Sequence, residues 1–364
     1  MMPIVVTTPT LPNFSEYACM LSRLWDTGIL TNNGEFCIRL EKELCEYLDV
    51  PNVVLCCNGT MSLLISLKSF EFEKDSEIIT TPFTFPATVQ MIDWCGCIPV
   101  FCDITPDTWD IDYTKIEALI TSKTKAILPV NPYGFSCNFK EIQKIADRHK
   151  LKVIYDAASS FGITDNSGKS VLLNGDAACL SFHATKIFST IEGGAIITKD
   201  DNLAAKLRIL RNFGFQDHET ILDGINGKLN EVQSIYGLSS LKLVKEEIHR
   251  RMLISKFYGE ELRGISSIHI RYNGEDYNHS LFPILVEHSR NAIVENAFNN
   301  DIVLRKYYYP LCSNFEKYSK LESSSPEKLP VANYISDHVL CIPIHGRLTI
   351  QDLDKVVNCL KEIL

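Results

Sequence analysis

The sequence predicts a large α/β domain built on a mixed, mostly parallel sheet, followed by a smaller α+β domain. Short apolar runs alternate with amphipathic segments through the first half of the chain, and a long helical stretch begins after Asn230. Beyond that stretch, strands and helices follow one another less regularly. With 364 residues the chain is long enough for two domains. We predict a large domain over residues 1–250, including an amino-terminal arm over 1–15, and a small domain over 251–364.

The strands of the large domain are predicted from apolar runs that end at turn residues. The first covers 53–57, ends at Asn58-Gly59 and is followed by apolar residues at helical spacing. Further strands are predicted over 77–81, 98–104, 126–130, 153–157, 178–182 and 195–198. Amphipathic segments predict crossover helices over 112–120 and 139–149, and the spacing of apolar residues after Asn230 predicts one continuous helix over 231–251.

The small domain is predicted to contain fewer elements. Strands are expected near 268–271 and 280–286, and helices near 290–299 and from Ile350 onward. The serine-rich segment 323–326 predicts an exposed loop, because Ser and Pro favour turns.

Composition and charge narrow the classes of function. Lys and Arg total 36 against 45 Asp and Glu, a net charge of −9, so we expect no nucleic-acid partner and only local binding of anions. The thirteen cysteines form no paired C-x-x-C groups, which favours buried thiols in a reducing cytoplasm over a metal site. The chain has no basic leader and no apolar window of about 18 residues, so we expect neither export nor a membrane partner.

Asn58-Gly59-Thr60 is the first segment that could carry chemistry. It lies where a buried strand meets the start of a helix, and free backbone N–H groups at such a position favour a phosphate. The same residue types are also common as a helix cap, so this segment alone leaves both readings open.

Two charged residues follow neighbouring strands. Asp156 ends a buried apolar strand, at the edge where open α/β sheets bind ligands. It could cap a helix, or it could pair with a protonated ring nitrogen and keep that ring electron-withdrawing. Lys186 lies thirty residues beyond it, after the next strand, where a desolvated amine could react with a carbonyl group.

Phe85 completes a set of four features that together indicate pyridoxal 5'-phosphate. It follows the strand over 77–81 and could lie against a planar ring, beside the phosphate turn, the carboxylate and the lysine. Two other classes share part of this pattern. A nicotinamide-dependent dehydrogenase would share the alternating strands and helices, but no G-x-G-x-x-G turn follows an early strand. A non-catalytic cofactor-binding sensor would not need Asp156 and Lys186 together.

The sequence resembles the DegT/StrS family of pyridoxal-phosphate-dependent nucleotide-sugar aminotransferases over nearly its whole length. The segments that carry the resemblance are 31–34, 58–60, 83–88, 156–158, 181–186, 192–194 and 224–228. The resemblance implies fold type I, the fold of aspartate aminotransferase, and a homodimer with shared active sites.

The resemblance also implies roles for individual residues. Those implied at the cofactor are Gly59, Thr60 and Ser181 at the phosphate, Phe85 on the ring, Asp156 at the ring nitrogen, Lys186 at the covalent bond, and Asn226 of the partner subunit at the phosphate. Those implied at the substrate are Thr31, Tyr133, Lys228, Arg305 and Tyr308. No metal is implied.

The reaction implied is amino transfer from L-glutamate to C4 of a dTDP-linked 4-keto-6-deoxy sugar, for surface polysaccharide or O-antigen synthesis. Amination at C3 of a dTDP-3-keto-6-deoxy sugar stays open. Four positions depart from the commonest family pattern: Ser159 stands where many relatives have Gln or His, and Asn131, Cys312 and Lys228 also differ. The departure at Ser159 leaves open which residue bonds the phenolic oxygen of the cofactor.

Overall fold

The structure is a computed structural model and describes residues 3–270, 277–287 and 290–362. The strands of this part are β1 (Ile4–Val5), β2 (Asn52–Cys56), β3 (Glu77–Thr80), β4 (Ile98–Phe101), β5 (Thr124–Leu128), β6 (Lys152–Asp156), β7 (Ala177–Ser181), β8 (Gly194–Thr198), β9 (Phe215–Gln216), β10 (Glu219–Thr220), β11 (Ile268–Ile270), β12 (Phe282–Val286), β13 (Ile302–Val303) and β14 (Val339–Ile342). The α-helices are α1 (Phe14–Thr27), α2 (Glu35–Leu48), α3 (Gly59–Ser69), α4 (Pro86–Trp94), α5 (Tyr113–Ile116), α6 (Phe139–His149), α7 (Asp201–Leu210), α8 (Glu231–Leu241), α9 (Val244–Glu261), α10 (Arg290–Asn299), α11 (Pro330–His338) and α12 (Ile350–Lys361).

Seven strands form the central sheet, in the order β2-β8-β7-β6-β5-β3-β4. Strand β8 runs antiparallel to β2 and β7, and the other neighbouring strands are parallel. The predicted mixed, mostly parallel sheet is therefore confirmed. Because parallel strands end at the same edge, the segments that follow β3, β5, β6 and β7 come together there.

Helix α3 begins at this edge, directly after β2. The side chain of Asn58 caps the helix, since its Oδ1 accepts a hydrogen bond from the backbone N–H of Met61 at 2.8 Å. Apolar residues of α3 share one buried cluster with residues of β2, β7 and β8. The start of α3 is thus fixed against the sheet.

The helix predicted over 231–251 is two helices. Helix α8 ends at Leu241 and α9 begins at Val244, with the backbone N–H of Leu243 donating to the carbonyl of Ser240 at 3.0 Å. The sequence does not mark this break, because neither Gly nor Pro lies at it and the apolar residues keep their helical spacing across it. Helix α9 also runs through position 250, where we predicted the domain boundary.

The carboxyl-terminal part has its own antiparallel sheet, β11-β12-β14, and its own apolar cluster. The amino-terminal arm is bound to this part. Strand β1 pairs in parallel with β13, and the carbonyl of Val6 accepts a hydrogen bond from Ile344 at 2.8 Å. The arm therefore crosses from the carboxyl-terminal part, where β1 and β13 form a separate two-stranded sheet, to α1 in the large domain.

The prediction of an exposed loop at 323–326 is wrong. Ser323 and Ser324 are buried, and short 3₁₀ turns cover Glu322–Ser324 and Pro326–Lys328. The hydroxyl of Ser323 accepts from the N–H of Phe101 at 3.0 Å, and that of Ser324 donates to the carbonyl of Tyr318 at 2.7 Å. Serine can be buried here because each hydroxyl has a backbone partner. The predicted strand end at Arg271 lies outside the described residues.

Two features are absent from the residues that the structure describes. No helix there is both long enough and apolar enough to cross a membrane. No cluster of His, Cys, Asp and Glu there could hold a metal ion. The thirteen cysteines are free thiols, and most of them are buried.

Candidate active site

A cavity of about 580 Å³ lies at the edge of the central sheet where the parallel strands end. Six residues predicted to bind the cofactor line it together: Gly59, Thr60, Phe85, Asp156, Ser181 and Lys186. Thr7 of the arm and the segments around Leu281 and Tyr308 complete its wall. One cavity thus joins the sheet edge to the arm and the carboxyl-terminal part.

The start of α3 forms one end of this cavity. The N–H groups of Gly59 and Thr60 lie in the first turn, where a helix has no carbonyl of its own for them to bond. A Cβ at Gly59 would lie 2.8 Å from Cβ of Ser181, and one at Gly194 would lie 2.6 Å from the carbonyl carbon of Asn58. Both positions therefore require glycine, and the close packing forms a compact cradle beside the first N–H groups of α3, a position that favours an anion.

Asp156 lies at the end of β6 and is only 6% exposed. Its Oδ2 accepts a hydrogen bond from the hydroxyl of Thr88 at 2.6 Å, and its Oδ1 accepts one from the N–H of Ala158 at 3.1 Å. Burial raises the pKa of this carboxyl, while both hydrogen bonds and the charge of Lys186 oppose the rise. Within the described residues Asp156 makes no salt bridge, so a cationic ligand group would stabilise its charged form.

Lys186 follows β7 on a turn in which its backbone N–H donates to the carbonyl of His183 at 2.9 Å. Its Nζ donates to the hydroxyl of Ser159 at 3.0 Å. Burial lowers the pKa of the amine, and Asp156 opposes this. A lowered pKa increases the fraction of neutral amine, which is the form that attacks a carbonyl carbon.

Phe85 is an exposed aromatic residue, with 59% of its surface accessible, beside these charged groups. It is the N-cap residue of α4, so its position is tied to the start of a helix. One helical turn further, the hydroxyl of Thr88 bonds that of Thr84 at 2.7 Å as well as Asp156. The segment 84–88 therefore supplies both a flat apolar face and the support for the carboxylate.

These residues fit pyridoxal 5'-phosphate. The N–H groups at the start of α3 suit a phosphate, the buried carboxylate, which makes no salt bridge within the described residues, suits a protonated ring nitrogen, and the partly buried amine suits an aldehyde. An exposed phenyl ring beside them suits stacking on a planar heterocycle.

The residues predicted at the substrate are less clustered. Tyr308 lines the cavity, but Thr31, Lys228 and Arg305 do not, and Asn226 also lies outside it. Asn226, Thr31 and Arg305 are exposed. The amine of Lys228 donates to Asn212 Oδ1 at 2.9 Å and lies 4.6 Å from the centre of the Phe213 ring.

Tyr133 is buried behind the cavity wall. Its ring stacks on that of Tyr308, with centroids 5.6 Å apart and an angle of 8° between the planes. Its hydroxyl donates to the carbonyl of Tyr307. In this geometry Tyr133 supports a residue that lines the cavity and does not itself face the cavity.

Several residues at the site were missed by sequence reasoning. Thr7 and Leu281 line the cavity from distant parts of the chain, and neither carries a chemical signal in the sequence. Thr88 could have been found, because a hydroxyl on the first turn of a helix that follows a strand end is well placed to bond a neighbouring carboxylate.

The fold and the cavity define a pyridoxal-phosphate-dependent aminotransferase of fold type I. The chain belongs to the DegT/DnrJ/EryC1/StrS aminotransferase family, whose sequence profile matches residues 15–361. The family and fold type predicted from the sequence are thereby confirmed, as are the cofactor and the transaminase class.

Relatives with assigned activities match the chain over nearly its full length. It is 41% identical to a dTDP-4-amino-4,6-dideoxy-D-glucose transaminase of Escherichia coli, over 98% of each chain. It is 40% identical to the transaminase of the same name from Shigella dysenteriae, over 99% of each chain. Among solved structures, DesI in the presence of its TDP-sugar product superposes with a TM-score of 0.93 and 28% identity, covering 100% of this chain and 93% of the other.

Proposed function

We propose that this aminotransferase moves an amino group from L-glutamate to C4 of dTDP-4-keto-6-deoxy-D-glucose, giving dTDP-4-amino-4,6-dideoxy-D-glucose. The observation that carries the catalytic part is that Lys186 and Asp156 line one cavity. The choice of sugar is supported by the 41% identity to the Escherichia coli transaminase. The product serves surface polysaccharide or O-antigen synthesis in this proposal, and the free buried thiols favour a cytoplasmic enzyme.

Lys186 is the central residue of the proposed mechanism. Pyridoxal 5'-phosphate, when bound, supplies a carbonyl carbon for the amino group and a cationic ring that withdraws electrons. Lys186 would hold the cofactor covalently, and its amine, once freed by the amino donor, would carry the proton from Cα of the donor to the carbon that had held the lysine. In the second half of the reaction it would move a proton in the opposite direction, from that carbon onto the sugar carbon that receives the amine.

Asp156 keeps the ring nitrogen protonated, and Thr88 and Ala158 hold its two oxygens in place. Gly59 and Thr60, with the hydroxyl of Ser181, bind the phosphate in this proposal. Phe85 covers one face of the ring.

The proposed enzyme is a homodimer with shared active sites. Asn226 is exposed and lies outside the cavity of its own chain, which leaves it free to reach another site. We propose that Asn226 of the partner subunit binds the phosphate. Lys228, on the same segment, would then reach the substrate bound to the partner.

At the substrate itself, we propose that Tyr308 contacts the sugar from the cavity wall and that Tyr133 supports it. Thr31 and Arg305, which are exposed, would bind the nucleotide part. We also propose that the large domain over 1–250 and the small domain over 251–364 both contribute to the cavity, since Tyr308 and Leu281 line it beside the sheet edge.

The proposal is tested by incubating the enzyme with glutamate and dTDP-4-keto-6-deoxy-D-glucose and locating the new C–N bond by NMR. We expect the bond at C4. A dTDP-3-keto-6-deoxy sugar is tested in parallel, and its preferred conversion to a 3-amino sugar would favour the alternative regiochemistry.

Lys186→Ala is the matched variant for this assay. It should fold and dimerise as the wild type does, yet form no amino sugar, because the residue is both the covalent tether and the proton carrier. Borohydride reduction followed by peptide mass spectrometry should find the cofactor on Lys186 in the wild type. Turnover at the wild-type rate in Lys186→Ala would refute the assignment.

A further inference from the structure

Ser159 contacts the residue on which the proposed function rests. Its hydroxyl accepts the hydrogen bond from Lys186 Nζ at 3.0 Å, and within the described residues this is the one hydrogen bond that the lysine side chain makes. Ser159 is 6% exposed and lines the same cavity. The contact joins two elements, because Ser159 follows β6 whereas Lys186 follows β7.

The backbone of Ser159 is fixed from two sides. The side-chain N–H₂ of Asn278 donates to the carbonyl of Ser159 at 2.8 Å and to that of Phe161 at 2.9 Å. A Cβ at Gly134 would lie 2.9 Å from the carbonyl oxygen of Ser159 and 2.4 Å from Oδ1 of Asn278, so this position has no room for a side chain. The hydroxyl of Ser159 is therefore presented to Lys186 from a rigid support.

A hydroxyl suits an amine that changes its protonation state. It has one rotatable donor and two acceptor sites, so it can donate to the lone pair of a neutral amine and accept from an ammonium group. A protonated lysine has only donors, and a neutral one gains an acceptor. The same serine can thus hold Lys186 both before and after a proton is transferred.

We propose that Ser159 is the positioning residue that orients the amine of Lys186 for its proton transfers. The proton would move from Cα of the amino donor to the amine, which becomes an ammonium and then delivers the proton to the carbon that had held the lysine. Ser159 keeps its own proton throughout and changes from donor to acceptor. This inference rests on the proposed role of Lys186, and the experiment below separates the two.

The first test measures the rate at which cofactor-free protein captures pyridoxal 5'-phosphate as a function of pH. The neutral amine is the attacking form, so the midpoint of this profile reports the pKa of Lys186. Ser159→Ala removes an acceptor that favours the ammonium, so we expect the midpoint to fall by about 0.5–1 pH unit. Ser159→Thr, which keeps the hydroxyl, should restore the wild-type midpoint.

Ser160→Ala is the matched control. Ser160 is adjacent and fully buried, but its hydroxyl accepts from Asn131 at 3.0 Å rather than from Lys186. Its midpoint should equal that of the wild type. Ser159→Val provides a second variant, which matches Ser159→Thr in shape but lacks the hydroxyl, and it should shift the midpoint as Ser159→Ala does even if the alanine variant folds poorly.

The second test is a single-turnover measurement with glutamate that carries deuterium at Cα. In Ser159→Ala we expect proton transfer to slow by about tenfold and the isotope effect to grow, with the KM for glutamate unchanged. An isotope effect and a pH midpoint that match the wild type would overturn the role of Ser159. If borohydride instead fixes the cofactor to a residue other than Lys186 in the wild type, the proposed function itself fails.

Discussion

At the scale of single residues, the catalytic proposal depends on a charge at position 156. Asp156→Asn keeps a side chain of the same shape that can still accept from Thr88, but it removes the negative charge that stabilises a cationic ring. We expect the variant to retain the cofactor, with a transamination rate lower by about a hundredfold to a thousandfold, the scale of one electrostatic catalytic group. The rate is measured in single turnovers with glutamate, and cofactor content by absorbance.

A buried aspartate outside the cavity serves as the control for this variant. Asp110 is 2% exposed and accepts hydrogen bonds from Thr105 and from the N–H of Asn138. Asp110→Asn removes an equivalent buried charge, so its rate per folded molecule should match the wild type. Equal rates for Asp156→Asn and the wild type would contradict the assigned role.

The residues predicted from the sequence and those that were missed differ in a physical way. Asp156 and Lys186 were predictable because each follows an apolar strand, and neighbouring parallel strands bring such positions to one edge. Thr7 was not predictable, because the arm brings it to the cavity through tertiary contacts and these contacts leave no local pattern in the sequence. The substrate residues came from resemblance alone, and of these the cavity of a single chain includes only Tyr308.

At the scale of elements, one of the two predicted crossover helices is confirmed in full and the other in part, since the segment 112–120 contains α5 and a 3₁₀ turn over Glu117–Leu119. The helix predicted over 139–149 is α6, because Asn138 caps its start and Lys150, with a left-handed backbone, ends it. The break between α8 and α9 could not be predicted, since it has neither Gly nor Pro and α8 is buried around most of its surface. The exposed loop predicted over 323–326 from its polar residues is wrong because the buried serines there form hydrogen bonds with the backbone.

The close approach of β8 to the start of α3 predicts that a side chain at position 194 weakens cofactor binding. Gly194→Ala places a Cβ 2.6 Å from the carbonyl carbon of Asn58 and 2.7 Å from the N–H nitrogen of Gly59, so the two elements must separate. Overpacking of this kind costs about 1–3 kcal/mol. Because the proposed phosphate site lies at this contact, we expect cofactor affinity to fall by about 5- to 150-fold.

Fluorescence titration of the cofactor-free protein with pyridoxal 5'-phosphate measures this affinity. Gly168→Ala is the control for glycine replacement, since a Cβ there meets no atom within 4 Å and only the backbone strain of a φ of +80° remains. Unchanged affinity in Gly194→Ala would show that the cradle tolerates a wider spacing.

At the scale of the whole molecule, a buried polar cluster joins the arm, α9 and the carboxyl-terminal part. Glu247 and Arg251 form a salt bridge at 2.6 Å with both side chains almost completely buried. His279 and His345 lie in the same region, and Nε2 of His345 bonds the hydroxyl of Thr8 in the arm at 3.3 Å. The buried Nδ1 of His345 has no hydrogen-bond partner within the described part of the chain.

Both histidines are held neutral. Burial, and then the charge of Arg251, lower the pKa of His279 and of His345 from about 6.5 to about 4. Since the folded pKa lies below the unfolded one, the unfolded chain binds more protons between pH 6.5 and 4, and stability falls as the pH is lowered through this range. We expect each histidine to cost about 2 kcal/mol of unfolding free energy between pH 7.5 and pH 5. In urea unfolding, the double variant His279→Gln, His345→Gln should lose correspondingly less unfolding free energy over this pH range than the wild type. Replacing the exposed His218 with Gln should leave the wild-type loss unchanged. A double variant whose stability depends on pH as the wild type's does would place the acid-labile group elsewhere.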